Sequence, residues 1–269
     1  MKTALVVLGM HRSGTSSVAG TLALLGATVP RTLMPPAADN PRGFWESNVV
    51  MTLNDQLLAE QGLSWNDWRP GPGRRAGVAD DRIRDALDSE FGGADLIVLK
   101  DPRMCRLFPE WRTALTGAGY DIRVISPIRA PGEVTASLQA RNPLSREHGL
   151  RLWLRHVLEA EAATRGLARH LMTWSGFMAD WRRQIAIMNT RLGLGLDPSL
   201  EGRDRAVDEF LTPDLHRQRT DATVPVMVRH VFETLGRIAA FGEHPDLHAR
   251  LDDLRLEFDR SCDLFADTP

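Results

Sequence analysis

Short apolar runs alternate along this chain with longer segments of helical spacing. Residues 3–8 (TALVVL) form an unbroken apolar run with β-branched members, which is typical of a strand buried on both faces. After a turn rich in Gly, Ser and Thr, the residues Val18, Leu22 and Leu25 recur at helical spacing, and Gly26 can end that helix. Strand, glycine turn and helix in this order predict the first half of a βαβ unit.

The same alternation continues to about residue 200. Further strands are predicted at 95–99, 121–126 and 170–174. Helices are predicted at 48–60, 79–91, 106–117, 131–140, 146–168 and 176–192. Short buried strands between longer helices predict an α/β fold, a three-layer P-loop-type domain with a central parallel sheet. Beyond this point only helical spacing is found, so residues 1–269 are interpreted as one domain with a helical C-terminal extension over about 200–269.

Charge and cysteine content exclude several classes of protein. The formal net charge of −2 provides no overall positive field, so neither nucleic acid nor an anionic membrane is an expected partner, and any anion site must be local. Two cysteines far apart in the chain predict no disulfide framework and a reducing compartment. The apolar run at 4–8 is too short for a secretory signal or a membrane span, so we expect a cytoplasmic protein.

The turn after the first strand has the composition of a phosphate-binding loop. Residues 9–16 (GMHRSGTS) match G-x-x-x-x-G-K-[ST] except that Thr15 replaces the lysine. Glycines allow main-chain N–H groups to converge on an anion, and the following helix adds its positive N-terminus. Arg12 places a permanent charge in the loop, where its planar donors can bind a sulfonate. The predicted anion site consists of Arg12, Ser13, Gly14, Thr15 and Ser16.

This loop resembles the 5′-phosphosulfate-binding loop of sulfotransferases that use 3′-phosphoadenosine 5′-phosphosulfate (PAPS). The resemblance is to the bacterial carbohydrate and tyrosylprotein types, whose loops also read R-S-G-T-[ST]. It implies a sulfotransferase that moves a sulfuryl group from PAPS to an acceptor hydroxyl or amine of a carbohydrate or small metabolite. No metal is expected, because a sulfonate carries a single negative charge and fixed donors can replace magnesium.

Two further motifs extend the resemblance. Arg129 ends the segment ISPIR, and Ser137 follows eight residues later, which is similar to the pair that binds the 3′-phosphate in this family. Lys100 lies in LKDPR at the carboxyl end of a predicted strand, where ligands of open α/β sheets bind. Lys2 is the other lysine among 33 basic residues. The K-D-P run resembles one in tyrosylprotein sulfotransferases whose lysine faces the reacting group, which implies a catalytic role for Lys100.

A proton acceptor is needed for transfer to a hydroxyl group. Glu46, in PRGFWE, follows the first helix by about twenty residues, where related enzymes carry a catalytic glutamate. We therefore predict that Glu46 is the general base, with Lys100 and Arg12 as the other catalytic residues. His148 and His11 are the alternative bases.

Other segments have less specific interpretations. Trp174 and the following residues 175–181 resemble a family segment that begins with tyrosine. Because tryptophan replaces the tyrosine here, ring stacking is the role that the resemblance implies for Trp174. The segment at 210–219 resembles a late loop that covers the nucleotide. The Pro, Gly and Arg-rich stretch at 69–77 is either a solvated loop or a lid. Trp111 and Trp153 lie on predicted helices and are interpreted as core residues. Trp65 and Trp68 are also interpreted as core residues, although they could instead stack on a sugar ring.

Two other classes of function remain open at this stage. A small-molecule kinase with a degenerate Walker loop would bind ATP with magnesium, although the lysine absent from position 15 argues against it. A non-catalytic nucleotide-binding module would bind the nucleotide without turnover. The acceptor and the oligomeric state are not determined by the sequence.

Overall fold

A parallel sheet of four strands forms the centre of the computed structural model, which describes residues 2–37, 40–71, 81–212 and 223–263. The strands are β1 (Lys2–Val7), β2 (Leu96–Lys100), β3 (Tyr120–Ile128) and β4 (Ala168–Thr173), in the order β2-β1-β3-β4. Val7, at the end of β1, lies opposite Lys100 on one side and Ile125 on the other. All four carboxyl ends therefore meet at the same edge of the sheet.

Helices cover both faces of this sheet. They are α1 (Thr15–Leu24), α2 (Asn48–Ala59), α3 (Asp81–Phe91), α4 (Met104–Gly117), α5 (Pro131–Gln139), α6 (Arg146–Thr164), α7 (Trp174–Ala179), α8 (Trp181–Leu192), α9 (Arg203–Phe210), α10 (Val226–Phe241) and α11 (Pro245–Asp263). Ala4 and Val6 of β1 pack into a core with α2, α3 and α4, whereas Leu5 and Val7 pack into a second core with α1 and α8. The predicted fold class, an α/β domain with a central parallel sheet, is confirmed.

Three predicted boundaries were wrong. The helix predicted at 176–192 is divided into α7 and α8 by Asp180, whose backbone is extended (φ −153°, ψ 78°) and whose side chain caps α8. The helix predicted at 146–168 ends at Thr164, because Gly166 turns the chain with φ +79° and residue 168 already belongs to β4. Trp174, predicted at the end of a strand, begins α7 instead.

Beyond residue 200, the described segments consist mainly of the helices α9, α10 and α11, as predicted. The helix α10 packs beside β4 and against α11. Trp111 and Trp153 are completely buried core residues. None of the helices within the described ranges combines the length and the apolar character that crossing a membrane requires.

Candidate active site

The carboxyl edge of the sheet carries a cavity of about 270 Å³ that brings the predicted site residues together. Its wall includes Arg12, Gly14, Thr15, Ser16, Glu46, Lys100, Arg129 and Ser137. Ser13 is the predicted residue whose side chain is not part of this wall. Its hydroxyl is buried and makes no hydrogen bond to any described residue, and its N–H donates to the carbonyl of Met10 over 3.1 Å.

The loop between β1 and α1 adopts a backbone that glycine makes possible. Gly14 has φ +85°, and a Cβ at this position would lie 1.9 Å from the Cδ1 atom of Trp174. Arg12 also has a positive φ, of 69°, which is uncommon for a non-glycine residue and concentrates at functional sites. The missing side chain at Gly14 therefore allows the loop to pack directly against Trp174, which is part of the cavity wall.

The N-terminus of α1 opens into the same cavity. Thr15, Ser16 and Ser17 line it, and their N–H groups precede the first intrahelical hydrogen bond, from Val18 N to Gly14 O at 3.2 Å. The N-cap residue is Gly14, which has no side chain that could cap this helix end. Free N–H groups and the positive end of the helix dipole together favour an anion at this position.

Lys100 and Glu46 form a buried ion pair beside the start of α1. Lys100 Nζ contacts Glu46 Oε1 and also donates to Ser16 Oγ over 3.2 Å and to the carbonyl of Phe44 over 3.0 Å. Both side chains are more than nine-tenths buried. The predicted base and the predicted cation are therefore direct partners in the ligand-free protein.

The backbone around Glu46 fixes where its carboxylate lies. The carbonyl of Glu46 accepts a hydrogen bond from Met34 N at 2.8 Å, and the next residue, Ser47, caps α2 by accepting from Val50 N at 2.9 Å. The preceding residue, Trp45, has φ 59°, and only Trp45 and Arg12 combine a side chain with positive φ among the described residues. A cap on one side and a constrained residue on the other give Glu46 little freedom.

The second half of the cavity contains the residues predicted to bind the 3′-phosphate. Arg12 Nε donates to Ser137 Oγ over 2.9 Å, and Arg129 donates to the main-chain carbonyl of Arg12 over 3.1 Å. Arg129 also pairs with Glu133 at 2.9 Å, and its guanidinium lies 4.2 Å from the ring centre of Trp174. Trp174 thus stacks with an arginine at the cavity wall. Arg12 makes the link between the phosphate loop and the Arg129–Ser137 pair.

The two alternative bases lie in different places. His11 lines the cavity, where burial and then the positive charge of Arg103 lower its pKa well below the usual value. A histidine that holds protons so weakly is a poor general base in the ligand-free protein. His148 is outside the cavity wall, and its Nε2 contacts the carbonyl of Asn66 at 2.8 Å.

A second buried histidine, His156, lies 6.2 Å from His11 between ring centres. Its Nδ1 donates to the carbonyl of Leu152 at 2.8 Å, and burial lowers its pKa to about 3. Since an unfolded histidine titrates near 6.5, the unfolded chain gains a proton between pH 6.5 and 3 that the folded protein does not.

We therefore expect the free energy of unfolding to fall by about 1.4 kcal/mol per pH unit below pH 6.5 through His156 alone. The His156→Gln variant should show a shallower pH dependence in urea unfolding measured between pH 7 and 4.5. Parallel curves for the variant and the wild type would contradict the neutral, buried state of His156.

Sequence reasoning missed three polar residues of the cavity wall, which are Asn40, Ser17 and Arg141. Ser17 follows the phosphate loop directly, and Arg141 lies four residues beyond Ser137, which is one helical turn. That spacing was a usable signal for Arg141.

Phe210, at the start of the predicted covering segment, packs edge-to-face on Trp45, with ring centres 5.6 Å apart. The rest of the predicted covering loop from 213, and of the 69–77 stretch from 72, lies outside the described residues.

Within the described ranges, no group of three or more His, Cys, Asp or Glu side chains is arranged to hold a metal ion. No family model matches the chain, and no curated protein matches it in sequence.

Solved structures with a similar chain path include three sulfotransferases. The sulfotransferase STF1 from Mycobacterium tuberculosis H37Rv is 15% identical, with 77% of this chain and 71% of that chain covered and a TM-score of 0.46. The sulfotransferase domain of the curacin biosynthetic pathway is 13% identical, with 96% and 97% covered and a TM-score of 0.42. The sulfotransferase domain of the Synechococcus PCC 7002 olefin synthase is 15% identical, with 100% and 98% covered and a TM-score of 0.46.

Proposed function

We propose that this protein is a PAPS-dependent sulfotransferase that acts on a hydroxyl or amine of a carbohydrate or small metabolite. The observation that carries the proposal is the convergence of two anion-binding groups in one cavity. The uncapped start of α1 with Lys100 forms one group, and Arg129 with Ser137 forms the other, joined through Arg12. A nucleotide with anionic groups at both its 5′ and 3′ positions is the kind of ligand that such a pair of sites would bind.

The residues present fit such a nucleotide. Gly14 allows the loop to pack directly against Trp174, and the start of α1 at Thr15, Ser16 and Ser17 lines the cavity, where its N–H groups would bind a 5′-phosphosulfate. Burial lowers the pKa of Arg129, but Glu133 opposes this effect and the guanidinium stays charged near neutral pH. These side chains would hold the donor, which supplies the sulfuryl group.

Each charged residue of the cavity then has a defined task. Glu46 takes the proton from the acceptor as the new bond to sulfur forms and the bond from sulfur to the 5′-phosphate oxygen breaks. Lys100 and the N–H groups of α1 stabilise the negative charge that develops on the departing oxygen. Arg12 orients the reacting group, since its position in the loop is set by Ser137 on one side and by Arg129 on the other.

The proposal is tested by the effect of Arg129→Ala on two nucleotides that differ in the 3′-phosphate. Adenosine 3′,5′-bisphosphate should bind about 10- to 150-fold more weakly to the variant, because a charge-assisted phosphate contact contributes roughly 1.5–3 kcal/mol. Adenosine 5′-phosphosulfate, which lacks the 3′-phosphate, should lose only a few-fold. Titration calorimetry measures both.

The exposed Arg112 on α4 supplies the control, since Arg112→Ala removes the same charge outside the cavity and should leave both affinities unchanged. Equal losses for the two nucleotides would remove Arg129 from the 3′-phosphate site. Binding of ATP with magnesium, together with no binding of the bisphosphate, would favour the kinase alternative instead.

A further inference from the structure

The carboxylate of Glu46 has a second cationic neighbour besides Lys100. Arg103 Nη1 lies 3.9 Å from Glu46 Oε2, whereas Lys100 contacts the other oxygen, Oε1. Arg103 in turn pairs with Asp55 of α2 at 2.6 Å and with Asp101 at 3.3 Å. We call Arg103, Glu46, Asp55 and Asp101 the Arg103 cluster.

Arg103 is held outside the cavity by a buried carboxylate. The carboxylate of Asp101, which is completely buried, accepts a hydrogen bond from Arg103 N at 2.7 Å and also contacts its guanidinium. Arg103 does not line the cavity, whereas Lys100 does. An anionic ligand at the start of α1 can therefore draw Lys100 away from Glu46, but it cannot reach Arg103 in the same way.

We propose that Arg103 is a positioning residue that keeps the Glu46 carboxylate in place for proton transfer, and that Asp55 sets how strongly it does so. The inference rests on the proposed function, in which Lys100 turns to the reacting group. Glu46 then retains Arg103 as its cationic partner. Because Asp55 shares that guanidinium, its negative charge weakens the hold of Arg103 on Glu46.

Opposite effects are expected from two substitutions in the cluster. Asp55→Asn keeps a hydrogen-bond acceptor for Arg103 but removes a negative charge, so the titration of the Glu46 carboxyl should move to lower pH than in the wild type. Arg103→Gln removes the cation, so the same carboxyl should titrate at a higher pH. Neither change should alter the affinity for adenosine 3′,5′-bisphosphate more than about three-fold, because neither side chain lines the cavity.

The charged groups around Glu46 determine the method of measurement. Lys100, Arg103 and Asp101 face it from β2 and the start of α4, Asp55 acts through Arg103, and the neighbouring His11 stays neutral. Burial raises the pKa of Asp101 to about 6, against the lowering effect of Arg103, so activity alone would mix two titrations.

Carbon-13 NMR of protein labelled at the glutamate carboxyl carbons avoids this mixing. The Glu46 resonance is identified by its absence from Glu46→Gln, and its titration is followed with and without bound adenosine 3′,5′-bisphosphate. Asp85→Asn, which removes an exposed carboxylate of α3 outside the Arg103 cluster, is the matched control.

Shifts in opposite directions for Asp55→Asn and Arg103→Gln, with none for Asp85→Asn, would support the proposal. Shifts in one direction, or none, would overturn it. If Arg103→Gln fails to fold, Asp55→Asn decides alone, because the Asp55 side chain is nearly half exposed and its loss should be tolerated. Failure of the bisphosphate to bind would reject the proposed function, whereas the titration of the ligand-free protein still tests the cluster.

Discussion

Replacement of Glu46 by glutamine is expected to reduce sulfuryl transfer by about 10²- to 10⁴-fold while the affinity for PAPS stays within a few-fold of the wild type. Glutamine has nearly the same shape and can still accept a hydrogen bond from Lys100, so the ion pair becomes a neutral-to-charged hydrogen bond. What is lost is a group that can take a proton. Turnover with radiolabelled PAPS across a panel of acceptors, together with calorimetry, measures the two quantities separately.

Two further variants test whether a loss of turnover in Glu46→Gln comes from the missing proton acceptor. Glu90 is another buried carboxylate, which accepts hydrogen bonds from Thr32 away from the cavity, so Glu90→Gln should leave turnover within a few-fold. His11→Asn should cost less than Glu46→Gln, because the neutral His11 is a poor base. Turnover that survives Glu46→Gln nearly intact would place the base elsewhere.

Gly14→Ala is expected to weaken the binding of adenosine 3′,5′-bisphosphate by about 10²-fold or more. The left-handed backbone at Gly14 costs a non-glycine residue roughly 1–2 kcal/mol. In addition, the new methyl group would lie 1.9 Å from Trp174, so that either the loop or the tryptophan must move. Displacement of Trp174 also disturbs Arg129, whose guanidinium stacks on its ring at 4.2 Å.

A second glycine separates backbone strain from the clash. Gly119 has φ +81°, and a methyl group there would meet no described atom within 4 Å, so Gly119→Ala pays the conformational cost far from the cavity. It should reduce thermal stability without changing nucleotide affinity. If Gly14→Ala behaves like Gly119→Ala in calorimetry and thermal unfolding, close packing of the loop on Trp174 is not what shapes the site.

Local sequence patterns were sufficient to predict the four strands and the glycine-containing turn after β1. The apolar run at 3–8 and the glycines that follow it predict a strand and a turn, because both signals depend only on residues that are adjacent in the sequence. In a parallel sheet, the residues at the carboxyl ends of the strands share one edge, so the sequence could predict that Lys100 and Arg129 lie near each other, and both line the same cavity. The break at Asp180 between α7 and α8 was not predicted, because a single extended residue inside a periodic segment leaves the hydrophobic periodicity intact.

Pairing between distant charged residues required the tertiary structure. Lys100 at the end of β2 meets Glu46, just before α2, across 54 positions, and Arg12 in the loop after β1 meets Ser137 of α5 across 125. The sequence by itself determined which residue types stand at the ends of the strands, since hydrophobic periodicity is a local property. Which cation neutralises Glu46, and that Arg103 also reaches it, was decided only by the packing of β2, α2 and α4. The energy of an ion pair depends on distance and burial, and neither quantity is encoded in the spacing along the chain.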